Sequence, residues 1–243
     1  MTYEHDGQAA EEAARHTLGG ERLDWLRERV AAKRVKLGAD GVRGHRVEFG
    51  DKWGDAIPTA LRSGTSVSRG DVFDLAATGD WMAVFAASFI WGTGRVGYGP
   101  HRYREIVEGT NGHLNEMLTA AVEVARDEVI AGYARLYGGY DPKSRLTANS
   151  DGCSRIDNFG PAFFTKFLYF TSPGAVILDN VLARRVHDLA HVPYLVSARG
   201  RSVQWSPYRY AVYLKWMHQT AQLISAEPDE LELTLFTIPA GGG

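Results

Sequence analysis

A few short stretches carry residue types and spacings that could do chemistry. Asp179 stands at the mouth of a helical stretch, directly after the short apolar run Ala175 to Leu178. Asp is among the preferred N-cap residues because its carboxylate takes up otherwise unpaired N–H groups of the first turn, so on the residues alone capping is one reading and chemistry is the other. His187-Asp188-Leu189-Ala190-His191 puts two imidazoles one helical turn apart, the spacing of a zinc-binding pair. The glutamate of H-E-x-x-H is missing there, and no third ligand stands out. The run GTGRVGYG, residues 92 to 99, has the glycines of a phosphate-binding loop, but no strand precedes it and no Lys-Ser/Thr follows. Its arginine suits a DNA backbone better than a nucleotide. The single cysteine, Cys153, makes neither an internal disulfide nor a cysteine cage.

The elements that must position these groups are mainly helical. Residues 1 to 18 read as a frayed or weakly helical arm, set off by Gly19-Gly20, so a flexible N-terminal arm is expected over 1 to 20. From 21 to 243 the chain reads as one helical domain, beginning with the charged helix Glu21 to Lys36, whose Leu23, Leu26 and Val30 have helical spacing. Residues 38 to 69 have no clear period and read as loops with one short helix. Asp80 caps a helix through Trp81, Phe85 and Ile90 that Gly92 and Gly94 end. Apolar residues every three or four positions from Leu114 to Tyr137 predict one amphipathic helix ending at Gly138-Gly139, with a turn at Asp141-Pro142. Further helices are expected over Phe163 to Phe170, Asn180 to Val192 and Tyr208 to Ser225. Only Leu231 to Ile238 hints at a strand.

Composition excludes several classes. In 243 residues, 44% hydrophobic and 11% aromatic content is enough for a substantial core. The longest nearly apolar run, Trp81 to Trp91, is about half of the roughly 20 residues that span a bilayer. The acidic, polar start MTYEHDGQAAEE does not read as an export signal, so a cytoplasmic, nucleoid-associated protein without a membrane partner is expected. The net charge of −2 argues against a protein that is basic all over, yet charge is unevenly spread. Residues 1 to 28 hold seven acids and three bases, whereas residues 181 to 218 hold six bases and the single acid Asp188. That segment could form a local face for phosphates, or simply a solvated surface.

The stretch 156 to 186, IDNFGPAFFTKFLYFTSPGAVILDNVLARRV, resembles the helix-hairpin-helix DNA glycosylases, and more closely the bacterial 8-oxoguanine DNA glycosylase-like (OGG-fold) proteins. Phe159-Gly160-Pro161-Ala162 resembles the hairpin turn, and Asp179 follows Gly160 by nineteen residues, close to the spacing of the family's aspartate. SFIWGTG at 88 to 94, the helix expected to hold Trp205, Tyr208 and Tyr213, and ELELTLF at 230 to 236 are similar as well, so the likeness spans roughly residues 80 to 236.

The resemblance implies a mainly α, helix-hairpin-helix bundle with its hairpin motif at about 155 to 186. It implies a monomeric DNA glycosylase that flips a modified base, an oxidised purine such as 8-oxoguanine, out of double-stranded DNA and cleaves its N-glycosidic bond. No cofactor and no metal is called for. Asp179 would stabilise the cationic sugar or activate the nucleophile. In bifunctional members a lysine just after the hairpin attacks the sugar. Strict spacing puts Ala162 there, with Lys166 one turn later on the same face. The N–H groups of Phe159, Gly160 and Ala162 would hold one phosphate, with Pro161 lacking a donor, and Arg184 and Arg185 would add cationic contacts. Phe163, Phe164, Trp205 and Tyr208 would line a base pocket. Two other classes remain: a non-catalytic DNA-binding module, if Asp179 only caps its helix, and a metal-dependent hydrolase built on His187 and His191.

Overall fold

A computed structural model describes residues 3–15, 18–95, 97–138, 156–197, 199–201 and 203–238. Cys153 and the Asp141-Pro142 turn lie outside them. The described chain is mainly α: eleven α-helices, a few 3-10 turns and one two-stranded antiparallel hairpin. None of the helices is long and apolar enough to cross a membrane. The residues group into two compact units, one drawn from 3–42 and 176–238, the other from 43–138 and 156–175. Neither is a continuous stretch of chain, so the division is not one that linkers in the sequence would mark.

In the first unit, α1 (Tyr3–Ala14) packs on α10 (Pro207–Leu223), and α11 (Pro228–Thr237) packs against α10, α2 (Gly20–Leu37) and α9 (Asn180–Ala190). The flexible arm expected over 1 to 20 is, in its described part, a docked helix. Ala10 and Ala14 are buried, Leu18 follows them into the core, and Lys215 pairs with Glu11. Small alanines on one face allow α1 to approach α10 closely, which its weak apolar period does not advertise. Arg34 of α2 holds Glu230 of α11 through two nitrogens at 2.5 Å each.

The strand hinted at over Leu231 to Ile238 is α11. Its start is marked by Pro228 in the first turn and by the Glu227 N–H, which donates to the Glu230 carboxylate at 2.9 Å. Leu231, Glu232, Leu233, Thr234 and Leu235 are all buried, so over that turn the helix is covered all round and has no amphipathic period to show. The alternation of apolar and polar residues therefore imitates a strand.

The second unit is built around α4 (Trp81–Thr93). It is the most apolar helix of the chain and contacts α3 (Arg69–Thr78), α5 (Gly99–Gly109), α6 (Leu114–Asp127) and α8 (Pro161–Thr171). Asp80 caps α4 by accepting the Ala83 N–H at 3.0 Å, and Gly94 ends it, as the sequence predicts. The stretch 38 to 69 holds, besides 3-10 turns, the hairpin of β1 (Arg46–Glu48) and β2 (Ser66–Ser68), with Val47 opposite Val67.

The single helix expected over Leu114 to Tyr137 is two. Glu128 leaves helical geometry and its carboxylate accepts the N–H groups of Ile130 and Ala131, starting α7 (Val129–Tyr137). A side-chain cap competes locally with the backbone bond, and the apolar period runs straight through the break. The two helices pack so tightly that a Cβ on Gly132 would meet that of Ala125 at 2.2 Å.

Candidate active site

The turn Ile156 to Gly160 leads into α8, whose N-cap is Gly160 and whose first residue is Pro161. Proline suits that position, since its missing N–H would have no partner inside the helix. Gly160 has an ordinary extended backbone (φ −84°, ψ 173°), and a Cβ on it would meet nothing within 4 Å. Neither backbone geometry nor internal packing calls for glycine there. The Phe159 N–H, expected to face a phosphate, donates instead to the Ile156 carbonyl at 3.2 Å, and the Phe159 ring is buried. That leaves the N–H groups of Gly160 and Ala162 for an outside acceptor, with no acceptor for either among the described residues.

Lys166 lies one turn into α8 and is 8% exposed. It is not a surface lysine. Its Nζ donates to the Ala162 carbonyl at 2.8 Å, and its aliphatic stem lies against Gly92 of α4. Of the two aromatic candidates in this unit, Phe164 is core: it is buried edge-on against Tyr133 and Phe159. Phe163 is half-buried, stacked on Phe89 at 4.3 Å with the Arg102 guanidinium 5.0 Å from its ring. The same guanidinium lies 5.4 Å from the ring of the exposed Tyr98, which stacks on His101. Arg102 and Tyr98 escaped the reading of the sequence. Their spacing of four on a glycine-rich loop and helix start was the available signal.

The remaining candidates belong to the other unit. Asp179 is the N-cap of α9 in extended geometry, and its Oδ1 accepts the N–H groups of Val181 and Leu182, each at 3.0 Å. The capping role is therefore present. Arg184 is exposed on α9, but Arg185 donates to the Ile238 carbonyl at 2.6 Å, so part of the guanidinium expected to meet phosphate ties the end of α11 instead. Trp205 and Tyr208, expected to line a base pocket, are buried. The Trp205 indole N–H donates to the Leu195 carbonyl at 2.9 Å, and the Tyr208 hydroxyl reaches the Ala9 carbonyl of α1. Beside Tyr208 stands Tyr194, 44% exposed and at φ 70°, a left-handed backbone that few bulky residues adopt.

His187 and His191 meet edge to face at 6.0 Å, with His191 already past the end of α9. No group of three His, Cys, Asp or Glu side chains that could hold a metal occurs among the described residues.

A family model described as "Putative 8-oxoguanine DNA glycosylase OGG-like protein" matches residues 28–236. The chain belongs to that family. The match takes in the turn at Gly160, Lys166, Asp179 and all of α10, and it leaves out α1. No curated protein and no solved structure matches the chain.

Proposed function

We propose that the protein binds duplex DNA as a monomer in the cytoplasm, extrudes an oxidised purine such as 8-oxoguanine, and hydrolyses its N-glycosidic bond with Asp179 as the essential carboxylate. The observation that carries this reading is Asp179 itself, in a chain of the OGG-like family: its side chain is fixed by two backbone donors at the mouth of α9. As the bond from the sugar to the base breaks, the electron pair leaves with the base and positive charge develops on the sugar. A fixed carboxylate lowers that barrier by electrostatic attraction, and it can orient the attacking water. Water then supplies a hydroxyl to the sugar carbon and a proton to the base. The products are a free base and an abasic site.

The glycine turn supports DNA positioning. Two backbone donors at the start of α8 attract an anion together with the helix dipole, and a glycine there allows the phosphate to come close. A panel of duplexes with single modified bases, incubated with the protein and treated with alkali, tests the proposal. Strand breaks at one modification are expected, and their absence across the panel would overturn it.

Lys166 favours a second mechanism on the same substrate. A buried lysine whose stem is held by the fold is a suitable amine nucleophile: with one ammonium proton passed to the departing base, its nitrogen attacks the sugar carbon as the glycosidic bond breaks, and ring opening, with a second nitrogen proton going to the ring oxygen, leaves a protonated Schiff base with the opened sugar. Borohydride trapping distinguishes this from water attack: a covalent protein–DNA adduct is expected only if an amine is the nucleophile.

A further inference from the structure

Val176, Ile177 and Leu178 are buried and belong to no helix or strand, so their backbone groups must find partners elsewhere. Two phenols of α10 supply several of them. The Tyr210 hydroxyl donates to the Val176 carbonyl at 2.9 Å and accepts the Val176 N–H at 3.3 Å. The Tyr213 hydroxyl donates to the Ile177 carbonyl at 2.7 Å. Both side chains are completely buried, and they stand three residues apart, on one face of α10. The next residue but one after Ile177 is Asp179, whose carboxylate is held from the other side by the first turn of α9.

Burial, and then the negative charges of Glu232 and Asp179, keep the Tyr213 hydroxyl protonated and hence a donor. Glu232, 1% exposed on α11, adds a buried acidic side chain to this region, where Asp179 itself is half-buried. The arrangement exceeds what capping needs. An N-cap requires only a local carboxylate, whereas here the extended chain before the cap is fixed by two buried phenols.

We infer that Tyr213, with Tyr210 beside it, is a positioning residue for Asp179: the phenols set where the carboxylate stands at the start of α9. The inference rests on the catalytic reading of Asp179. A shift of about 1 Å in a reacting group can cost on the order of a hundredfold in rate, so loss of one backbone anchor is expected to be visible in turnover.

Tyr213→Phe keeps the ring and removes the hydroxyl. Amide hydrogen exchange at Val181 and Leu182, the two groups that Asp179 holds, is expected to quicken in this variant, a readout that needs no substrate. In single-turnover excision from a duplex carrying 8-oxoguanine opposite cytosine, the rate is expected to fall about tenfold or more while duplex affinity stays unchanged. The Asp179→Asn/Tyr213→Phe double variant is expected to be no slower than Asp179→Asn alone, since the effect passes through the carboxylate.

A merely structural Tyr213 would lower the melting temperature but leave exchange at those two amides and the rate per folded molecule unchanged, and that result overturns the inference. A slow Asp179→Asn beside a wild-type Tyr213→Phe also overturns it, leaving the reading of Asp179 intact; a wild-type Asp179→Asn overturns both. If the wild-type protein leaves 8-oxoguanine in place, the exchange measurement alone decides. Should Tyr213→Phe fail to fold, Tyr210→Phe, which loses both bonds to Val176, carries the same expectations.

Discussion

The Lys166 side chain occupies space that Gly92 leaves on α4: a Cβ built on Gly92 would stand 2.7 Å from Lys166 Cδ and 3.1 Å from Cε. Glycine inside a helix costs about 1 kcal/mol relative to alanine, so its presence here has a reason, and the lysine stem is that reason. Gly92→Ala is expected to fold, because the far end of a lysine can move, and to displace the amine. Thermal unfolding within a few degrees of wild type, together with a reduced yield of borohydride-trapped adduct, is the expected pair of results. Lys166→Gln should abolish the adduct altogether. An undiminished adduct in Lys166→Gln would assign the nucleophile to another amine.

Asp179→Asn separates capping from catalysis. Asparagine caps helices about as well as aspartate, so the bonds to Val181 and Leu182 can persist and stability should hardly change. Base excision should fall about a hundredfold or more, because the neutral amide does not stabilise a cationic sugar. Single-turnover excision and a melting curve on the same preparation check both halves. Full excision by the folded variant would leave Asp179 as a helix cap alone.

Gly160→Val tests the turn without disturbing the fold. The backbone there is one that any residue adopts, and a Cβ would meet nothing, so the circular dichroism spectrum should be unchanged. Duplex affinity should drop, since the new side chain would stand where a phosphate approaches the N–H groups of Gly160 and Ala162. Titration of a fluorescent duplex measures it, and wild-type affinity would remove the turn from the DNA-binding surface.

The two neighbouring arginines of α9 should behave differently. Arg184 is exposed, so Arg184→Glu is expected to weaken duplex binding and to lower the slope of log affinity against log salt by about one. Arg185 bonds the Ile238 carbonyl, so Arg185→Glu is expected to destabilise the fold, by about 1–3 kcal/mol for a lost bond to a charged donor. Salt titrations and denaturant melts of the single variants separate the effects. Equal behaviour in both assays would count against this division of roles.

The local signals for individual helices were strong enough to read from the sequence. Asp80 and Asp179 are short acceptors placed directly before helical runs, and both cap as their chemistry dictates. The turn at Gly160-Pro161 opens α8 because proline is favoured at a first helical position. The likeness of the stretch around Gly160 and Asp179 to DNA glycosylases was likewise a property of residue type and spacing, and the family match over 28–236 includes it. Periodicity failed where its physical basis is absent. It passes through Glu128, where a carboxylate ends one helix and starts the next, and it vanishes in α11, where five consecutive residues from Leu231 to Leu235 are buried.

What each side chain does depended on partners far away in the chain, and no spacing encodes those. The burial of Lys166 is set by a glycine 74 positions earlier on α4, the difference between 166 and 92. Part of the Arg185 guanidinium is tied by a carbonyl 53 residues later, and the chain before Asp179 is fixed by phenols more than thirty residues away. Phe164, Trp205 and Tyr208 are aromatic like any base-stacking residue, and only packing makes them core. Residue type fixes which bonds a group is able to make, and local sequence fixes the helix that carries it. Which of those bonds form is decided when the helices pack, because burial removes water as the competing partner.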